Sequence, residues 1–99
     1  MAGGEGRPWP YLLTQHVFDK VRALDMALAE LEALLGTVEV IEETVLAEDE
    51  VKELLLVVDW VRPLHVVVVV DSRRREERIV TVYEPDPARW SPDFRRRRT

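Results

Sequence analysis

The chain has 99 residues, a formal net charge of −5, no cysteine and 46% hydrophobic residues. That length predicts one domain of ordinary size, and the apolar fraction is typical of a folded globular protein. The lack of cysteine excludes a disulfide scaffold, a zinc site with cysteine ligands and a thiol nucleophile. We expect a cytoplasmic protein, because no signal-peptide pattern opens the sequence and no apolar stretch approaches the ~20 residues that span a bilayer.

The charge is unevenly distributed along the chain. Residues 1–70 carry 13 acidic and 5 basic side chains, whereas residues 71–99 carry 6 acidic and 9 basic ones. Most bases of the second part fall in two clusters, Arg73-Arg74-Arg75 with Arg78, and Arg95-Arg96-Arg97-Arg98. A phosphate-bearing or acidic partner would approach this part of the chain, because local fields steer association. The alternative is a solvated loop and a frayed basic tail.

A flexible leader is predicted for residues 1–10, which hold three of the four glycines and two of the six prolines. Thr14 is the predicted N-cap of a helix, since its hydroxyl can accept a hydrogen bond from the first turn. Apolar residues then recur in alternating steps of four and three: Val17, Val21, Leu24, Leu28, Leu31 and Leu35. This stripe predicts one amphipathic helix over residues 14–35, with Gly36 in the left-handed conformation that ends many helices. Two shorter helices, the second capped by Asp25, are the alternative.

Four strands are predicted after this helix, because the segments are rich in β-branched and other apolar residues: Thr37–Val45, Glu53–Trp60, Leu64–Asp71 and Arg78–Glu84. Their short connections favour a mainly antiparallel meander. Leu64–Asp71 contains five consecutive valines and is apolar on both faces, which predicts a central strand covered on both sides. One helix covers only one face, so the other face needs the tail, a partner or a ligand cleft.

The sequence therefore predicts an α+β domain over residues 11–94, with an N-terminal helical region packed on a four-stranded sheet. Pro85-Asp86-Pro87 ends the last strand, and Trp90 is expected to pack back onto the sheet. Residues 95–99 form the predicted basic tail.

Two histidines are the candidates for acid–base catalysis. His16 lies in the first predicted helical turn, where the helix dipole favours the neutral ring that a general base needs. If Asp71 pairs with Arg78 across the last hairpin, Glu84 lies opposite His65 and the two form an acid–base couple. The structural alternatives are an exposed first-turn histidine and a half-buried, hydrogen-bonded one. Neither histidine has a diagnostic metal-ligand spacing, so no metal site and no cofactor are predicted.

The remaining candidates carry hydroxyl, guanidinium or carboxylate groups: Tyr83, Thr81, Arg73, Arg74, Arg75 and Glu42. The hydroxyls are expected to contact phosphate or ribose and the three arginines to clamp phosphates, although strand propensity and solvation explain these residues equally well. Glu42 would need a cationic partner if it faces the less covered side of the sheet. Arg62 and Arg89 are the candidate partners.

Several segments resemble a bacterial family known as domain of unknown function 4258: Leu13-Thr14-Gln15-His16, Val40-Ile41-Glu42, Leu54-Leu55-Leu56-Val57, Arg62-Pro63-Leu64-His65-Val66-Val67-Val68, and Ile79-Val80-Thr81-Val82-Tyr83-Glu84-Pro85-Asp86 with Trp90. The resemblance covers roughly residues 11–96. Members of that family are similar to RelE-like and MqsR-like toxins of the barnase-like ribonuclease group.

This resemblance implies an α+β fold, RNA as the substrate and a small antitoxin protein as a partner. It also implies a set of recurrent polar residues: His16, Glu42, His65, Thr81, Tyr83 and Glu84. The chain departs from the family at Arg22-Ala23-Leu24-Asp25, where members often have an Arg-Gly-Ile turn between two short helices. Its acidity also differs from the basic face usual in RNA-cleaving toxins.

Two functions are compatible with these patterns. The first is a metal-independent endoribonuclease of the toxin–antitoxin type, with His16 and His65 transferring protons, Glu84 and Tyr83 assisting, and arginines stabilising the phosphate. The second is a non-catalytic interaction domain that forms a homodimer, or binds a small protein partner, through the second sheet face.

Overall fold

A computed structural model describes residues 10–98 of the chain, so nearly all of the predicted leader lies outside the described residues. The elements, in chain order, are β1 (Tyr11–Leu13), α1 (Gln15–Ala23), α2 (Leu28–Leu34), a short 3-10 helix (Leu35–Thr37), β2 (Glu39–Ala47), β3 (Glu50–Val57), β4 (Leu64–Asp71) and β5 (Glu76–Tyr83). The α+β class is confirmed, with two helices packed on a five-stranded mixed sheet.

The helical region is divided in two, so the single helix over residues 14–35 is wrong and the two-helix alternative is right. Thr14 caps α1 as predicted, its Oγ1 accepting a hydrogen bond from the Val17 amide at 3.3 Å. Asp25 adopts a left-handed φ of 58° and breaks the helix, whereas Ala27 takes the N-cap position of α2. Gly36 lies within the 3-10 helix rather than in a left-handed terminus. Within residues 10–98, no helix has the length and apolarity needed to cross a membrane.

The sheet has the strand order β1-β5-β4-β3-β2. Strands β2 to β5 form the predicted antiparallel meander, and the five-valine strand β4 lies in its interior. The fifth strand, β1, pairs parallel with β5 and was not predicted, because three residues are too few to show a strand pattern.

The predicted register of the last hairpin is wrong. His65 lies opposite Tyr83 instead of Glu84, and Asp71 lies opposite Glu76 instead of Arg78. The turn is shorter than predicted, so the pairing is two residues off at Asp71, and a β-bulge between Val67 and Val68 reduces the difference to one residue at His65. No hydrophobic pattern reveals the length of the turn or the position of the bulge. Because adjacent residues point to opposite faces of a strand, a slip of one residue removes the Glu84 carboxylate from the imidazole.

The helices cover one face of the sheet. Their fully buried apolar residues are Val17, Leu31 and Leu35 (the last at the start of the 3-10 helix), and the sheet contributes buried Leu55, Val57, Leu64, Val66, Val68, Ile79 and Val82. Each such side chain contributes about 1.5–3 kcal/mol of transfer free energy when it is buried. The alternate residues of β3 and β4, among them Leu56 and His65, point to the opposite side, which we call the second face.

The chain after β5 crosses one end of the second face, and we call residues 85–98 the C-terminal strap. Trp90 is the anchor of the strap, as predicted: it is only 4% exposed, and its ring packs edge-on against the His65 ring at a centroid distance of 4.4 Å. The strap folds back on itself through a β-bridge between Trp90 and Arg97. The strap therefore covers part of the second face of β4, the valine-rich strand that was predicted to be covered on both faces.

Two arginines of the predicted basic tail, Arg95 and Arg97, bind carboxylates of the sheet, which fixes the tail in place. Arg95 makes two hydrogen bonds to the Glu39 carboxylate, at 2.8 and 2.9 Å, and Arg97 makes two to Glu42, at 2.9 and 3.1 Å. The pKa of Glu39 is lowered, chiefly because of its hydrogen bond with Arg95. Bidentate pairs of this kind fix orientation as well as charge, so they hold the end of the strap on β2.

Candidate functional site

The strand register arranges the second face into rows that run across the sheet. The row under the strap contains Glu39, Leu56, His65 and Tyr83. The middle row contains Glu42, Leu54, Val67 and Thr81. The open row contains Thr44, Lys52, Val69 and Arg78. Neighbours within a row lie about 4.8 Å apart, and adjacent rows about 6.6 Å apart.

A cleft of about 180 Å³ lies on this face between the strap and the open row. Its lining residues are Glu42, Thr44, Lys52, Glu53, Leu54, Val67, Tyr83 and Arg97. Leu54 and Val67 are the apolar members of this set, and charged or hydroxyl groups supply the rest. The cleft is therefore mainly polar, with groups of both charges and two hydroxyls arranged around two apolar side chains.

His16 and Thr81, both predicted site residues, are in contact at one side of this face. The His16 Nε2 atom lies 3.0 Å from Thr81 Oγ1, and the His16 side chain is exposed. Within the described residues, the pairing of β1 with β5 ends at Ile79. The first turn of α1, which follows β1 in the chain, therefore contacts the part of β5 after Ile79, where Thr81 lies. Thr81 pairs with Val67, which lines the cleft. The exposed imidazole therefore lies beside the middle row.

His65 and Tyr83 form a second pair, at the strap end of the cleft. The His65 ring is fully buried, with Nε2 at 2.9 Å from the Phe94 carbonyl and Nδ1 at 3.3 Å from the Tyr83 hydroxyl. A carbonyl oxygen only accepts, so Nε2 carries the hydrogen and Nδ1 of the neutral ring accepts the Tyr83 hydroxyl hydrogen. Burial lowers the pKa of His65, opposed by its hydrogen bond to Phe94, and burial raises the pKa of Tyr83.

This geometry gives the two residues different roles. Both ring nitrogens of His65 have partners and the ring is closed to solvent, as in the structural alternative considered for it. The Tyr83 hydroxyl keeps its proton and directs it toward His65, so its oxygen lone pairs are what it presents to a ligand. His65 is thus a positioning residue for Tyr83, which lines the cleft.

Arg97 supplies a fixed cation at the cleft. Its guanidinium binds Glu42 through Nε and Nη2, and its central carbon lies 4.7 Å from the centre of the Trp90 ring. Glu42 is therefore neutralised by Arg97, and the predicted partners Arg62 and Arg89 are wrong. Those two arginines instead lie near Glu84, at 2.6 Å, and near Asp86, at 3.9 Å. The arginine cluster in the sequence predicted a positively charged tail, but it did not indicate which arginine binds a carboxylate of the sheet.

The loop arginines and Glu84 lie away from the cleft. The backbone amides of Arg73 and Arg74 donate to Asp71 Oδ1 at 3.1 and 3.0 Å, and the Arg75 backbone is left-handed with φ 55°. These residues form the β4–β5 turn, at the end of β4 opposite His65. Glu84 forms an exposed ion pair with Arg62. The structure therefore does not bring these candidates to the same site as His16 and Tyr83.

Lys52 is a site neighbour that the sequence did not single out, and Arg78 was predicted only as a member of the basic cluster with Arg73-Arg74-Arg75. The place of both residues on the second face follows from the strand register. Across residues 10–98, no group of three or more histidine, aspartate or glutamate side chains is arranged to hold a metal ion. No protein-family model matches the sequence, and no curated protein or solved structure matches it significantly.

Proposed function

We propose that the protein is a metal-independent endoribonuclease that acts on single-stranded RNA. The observation that carries this proposal is the exposed His16 imidazole, held by Thr81 beside a cleft that contains the Tyr83 hydroxyl and the Arg97 guanidinium. A general base, a hydroxyl that orients the substrate and a cation are groups that RNA cleavage through the 2′-hydroxyl can use. The resemblance to toxin-like ribonucleases points to the same chemistry.

In the proposed reaction His16 is the general base. With its Nε2 hydrogen donated to Thr81, the Nδ1 lone pair is left to take the proton of the 2′-hydroxyl. The 2′-oxygen then forms a bond to the adjacent phosphorus as the bond from phosphorus to the 5′-oxygen breaks, which gives a 2′,3′-cyclic phosphate. The departing 5′-oxygen takes a proton from water, and the exposed imidazolium releases its own proton to solvent.

The other cleft residues would position the substrate and stabilise charge. Arg97 and Lys52 are the cations that line the cleft, and Arg97 would stabilise the negative charge that grows on the oxygens of the scissile phosphate. The Tyr83 oxygen would accept a hydrogen bond from a ribose hydroxyl or a base amino group. The apolar surface of Leu54 and Val67 would hold the flat face of one base.

The test is single-turnover cleavage of an unstructured RNA in the presence of a chelator. His16→Ala should slow cleavage by about 10²–10⁴-fold, the usual contribution of a general base. Gln15→Ala is the matched control: Gln15 is the exposed neighbour in the same helical turn, bonded to Asp19, and its variant should cleave at the wild-type rate. Equal rates for wild type and His16→Ala, with the fold retained by circular dichroism, would overturn the assignment.

A second candidate function, a non-catalytic interaction domain, is favoured by the outer edge strand β2. It ends the strand order, and its apolar residues Val40, Val45 and Leu46 are 39%, 75% and 49% exposed. Exposed apolar residues on a strand that has no neighbour on its outer side within residues 10–98 are the usual features of a strand that pairs with another chain. A particle larger than one chain in a sizing experiment, lost in Val45→Glu, supports this candidate; a single-chain mass at high concentration contradicts it.

A further inference from the structure

The open row of the second face carries two exposed cations on either side of one valine. Lys52 pairs with Val69 on one side and Arg78 pairs with it on the other. The Cα atoms of the two basic residues are therefore about 10 Å apart, twice the spacing of neighbouring strands. Their long side chains can converge above Val69, which is only 6% exposed.

Neither cation is neutralised within the part of the chain that the structure describes. The ion pairs of residues 10–98 engage Arg62, Arg74, Arg89, Arg95 and Arg97, and none of them includes Lys52 or Arg78. Both side chains are exposed. The contrast with Arg95 and Arg97, which have carboxylate partners on β2, indicates that these two are available to an external anion.

The open row lies next to the proposed site of cleavage. Lys52 lines the cleft, and the open row follows the middle row that contains Thr81, the partner of His16. Adjacent rows are about 6.6 Å apart, which is close to the separation of consecutive phosphates along an extended single strand. A phosphate held over the middle row would thus place the next one over the open row.

A row of acidic residues borders the open row on the side away from the cleft. Beyond the open row the register places Glu50, Asp71 and Glu76 side by side across β3, β4 and β5. These carboxylates would repel a further phosphate, so the cationic part of the face accommodates one phosphate beyond the cleft.

We propose that Lys52 and Arg78 form a binding subsite for the phosphate adjacent to the scissile one in single-stranded RNA, an inference that rests on the proposed function. Lys52 supplies a mobile ammonium, and Arg78 supplies a planar group with paired donors for phosphate oxygens. The apolar Val69 between them separates the two cations and leaves their charges directed outward.

The subsite is tested by binding rather than by cleavage. The probes are an oligodeoxynucleotide and a fully 2′-O-methylated RNA of the same sequence, because neither has the hydroxyl that cleavage needs. Affinity is measured by fluorescence anisotropy between about 50 and 300 mM salt for wild type, Lys52→Ala, Arg78→Ala and the control Arg22→Ala. Arg22 is an exposed arginine of α1, on the opposite side of the sheet.

Lys52→Ala and Arg78→Ala should each weaken binding about five- to tenfold. Each should also lower the slope of log affinity against log salt, by at most about 0.7, the value for one whole phosphate contact on a single strand. Arg22→Ala should change neither quantity. Unchanged affinity and slope in both subsite variants would overturn the subsite, while wild-type cleavage of RNA would still support the nuclease. Wild-type binding that shows the predicted losses, without any RNA cleavage, would support the subsite and contradict the nuclease. A wild-type protein that binds neither probe overturns the subsite.

Discussion

Replacing Trp90 with alanine removes the side chain that anchors the C-terminal strap to the second face. The indole is 4% exposed, packs edge-on against His65 and lies under the Arg97 guanidinium. The ion pairs that Arg95 and Arg97 make with β2 are partly exposed, and exposed pairs contribute little to stability. Trp90 should therefore supply most of the free energy that holds the strap in place.

The size of the expected loss follows from the buried area. A tryptophan side chain buries about 150–250 Å², and at about 25 cal/mol per Å² this corresponds to an upper limit of roughly 4–6 kcal/mol. Substitutions of buried tryptophan by alanine cost about 3–5 kcal/mol. We expect the free energy of unfolding to fall by that amount, with a fall in Tm of more than about 12 °C for a domain of this size.

The assay is urea unfolding followed by far-ultraviolet circular dichroism. Trp60→Ala is the matched control, because Trp60 is half-buried at the edge of the core and should cost less when truncated. A loss below about 1 kcal/mol for Trp90→Ala, the scale of a surface substitution, would refute the docked position of the strap.

Two further predictions concern the histidine pairs. Thr81→Val should slow RNA cleavage about tenfold, because loss of one hydrogen bond of ~1.4 kcal/mol frees the His16 ring to rotate. Thr81→Ser keeps the hydroxyl and should cleave RNA at the wild-type rate. Equal rates for the two variants would contradict the role of Thr81 in orienting His16. The pKa of His65 is lowered from 6.5 in the folded chain, so below about pH 6.5 the unfolded chain binds more protons than the folded chain. The free energy of unfolding should therefore decrease as the pH falls below about 6.5. His65→Gln should flatten this dependence in urea titrations between about pH 7.5 and 5.5, and a wild-type value that stays constant over that range would contradict the buried neutral ring.

The antiparallel meander and the cap of the first helix could be predicted from local sequence, because each depends on residues close together in the chain. The alternation and β-branching that mark β2 to β5 are strong signals, and Thr14 is a favoured N-cap residue. The helix break at Asp25 was only an alternative, since the apolar stripe continues across it. Strand β1 was missed because it is defined by its pairing with β5 rather than by its own composition.

The contacts of the site were predicted less well, because they depend on register and on the path of the strap. His16 and Thr81 were both named, but their contact depends on where β1 ends on β5. The turn pairs Asp71 with Glu76 rather than with Arg78, and the bulge between Val67 and Val68 then shifts the register by one residue, so His65 lies opposite Tyr83 instead of Glu84. The pairing of Arg97 with Glu42 spans 55 residues, and composition alone carries no information on such a contact.

The most direct test of the central claim is to incubate the wild-type protein, in chelator, with an unstructured RNA and with the DNA of the same sequence, and to identify the product ends. The proposed chemistry predicts that the RNA is cut to fragments ending in 2′,3′-cyclic phosphate and that the DNA remains intact, because only RNA has the attacking hydroxyl. An intact RNA at micromolar protein, or DNA cut as fast as RNA, would contradict the assignment of the His16 cleft as a ribonuclease site.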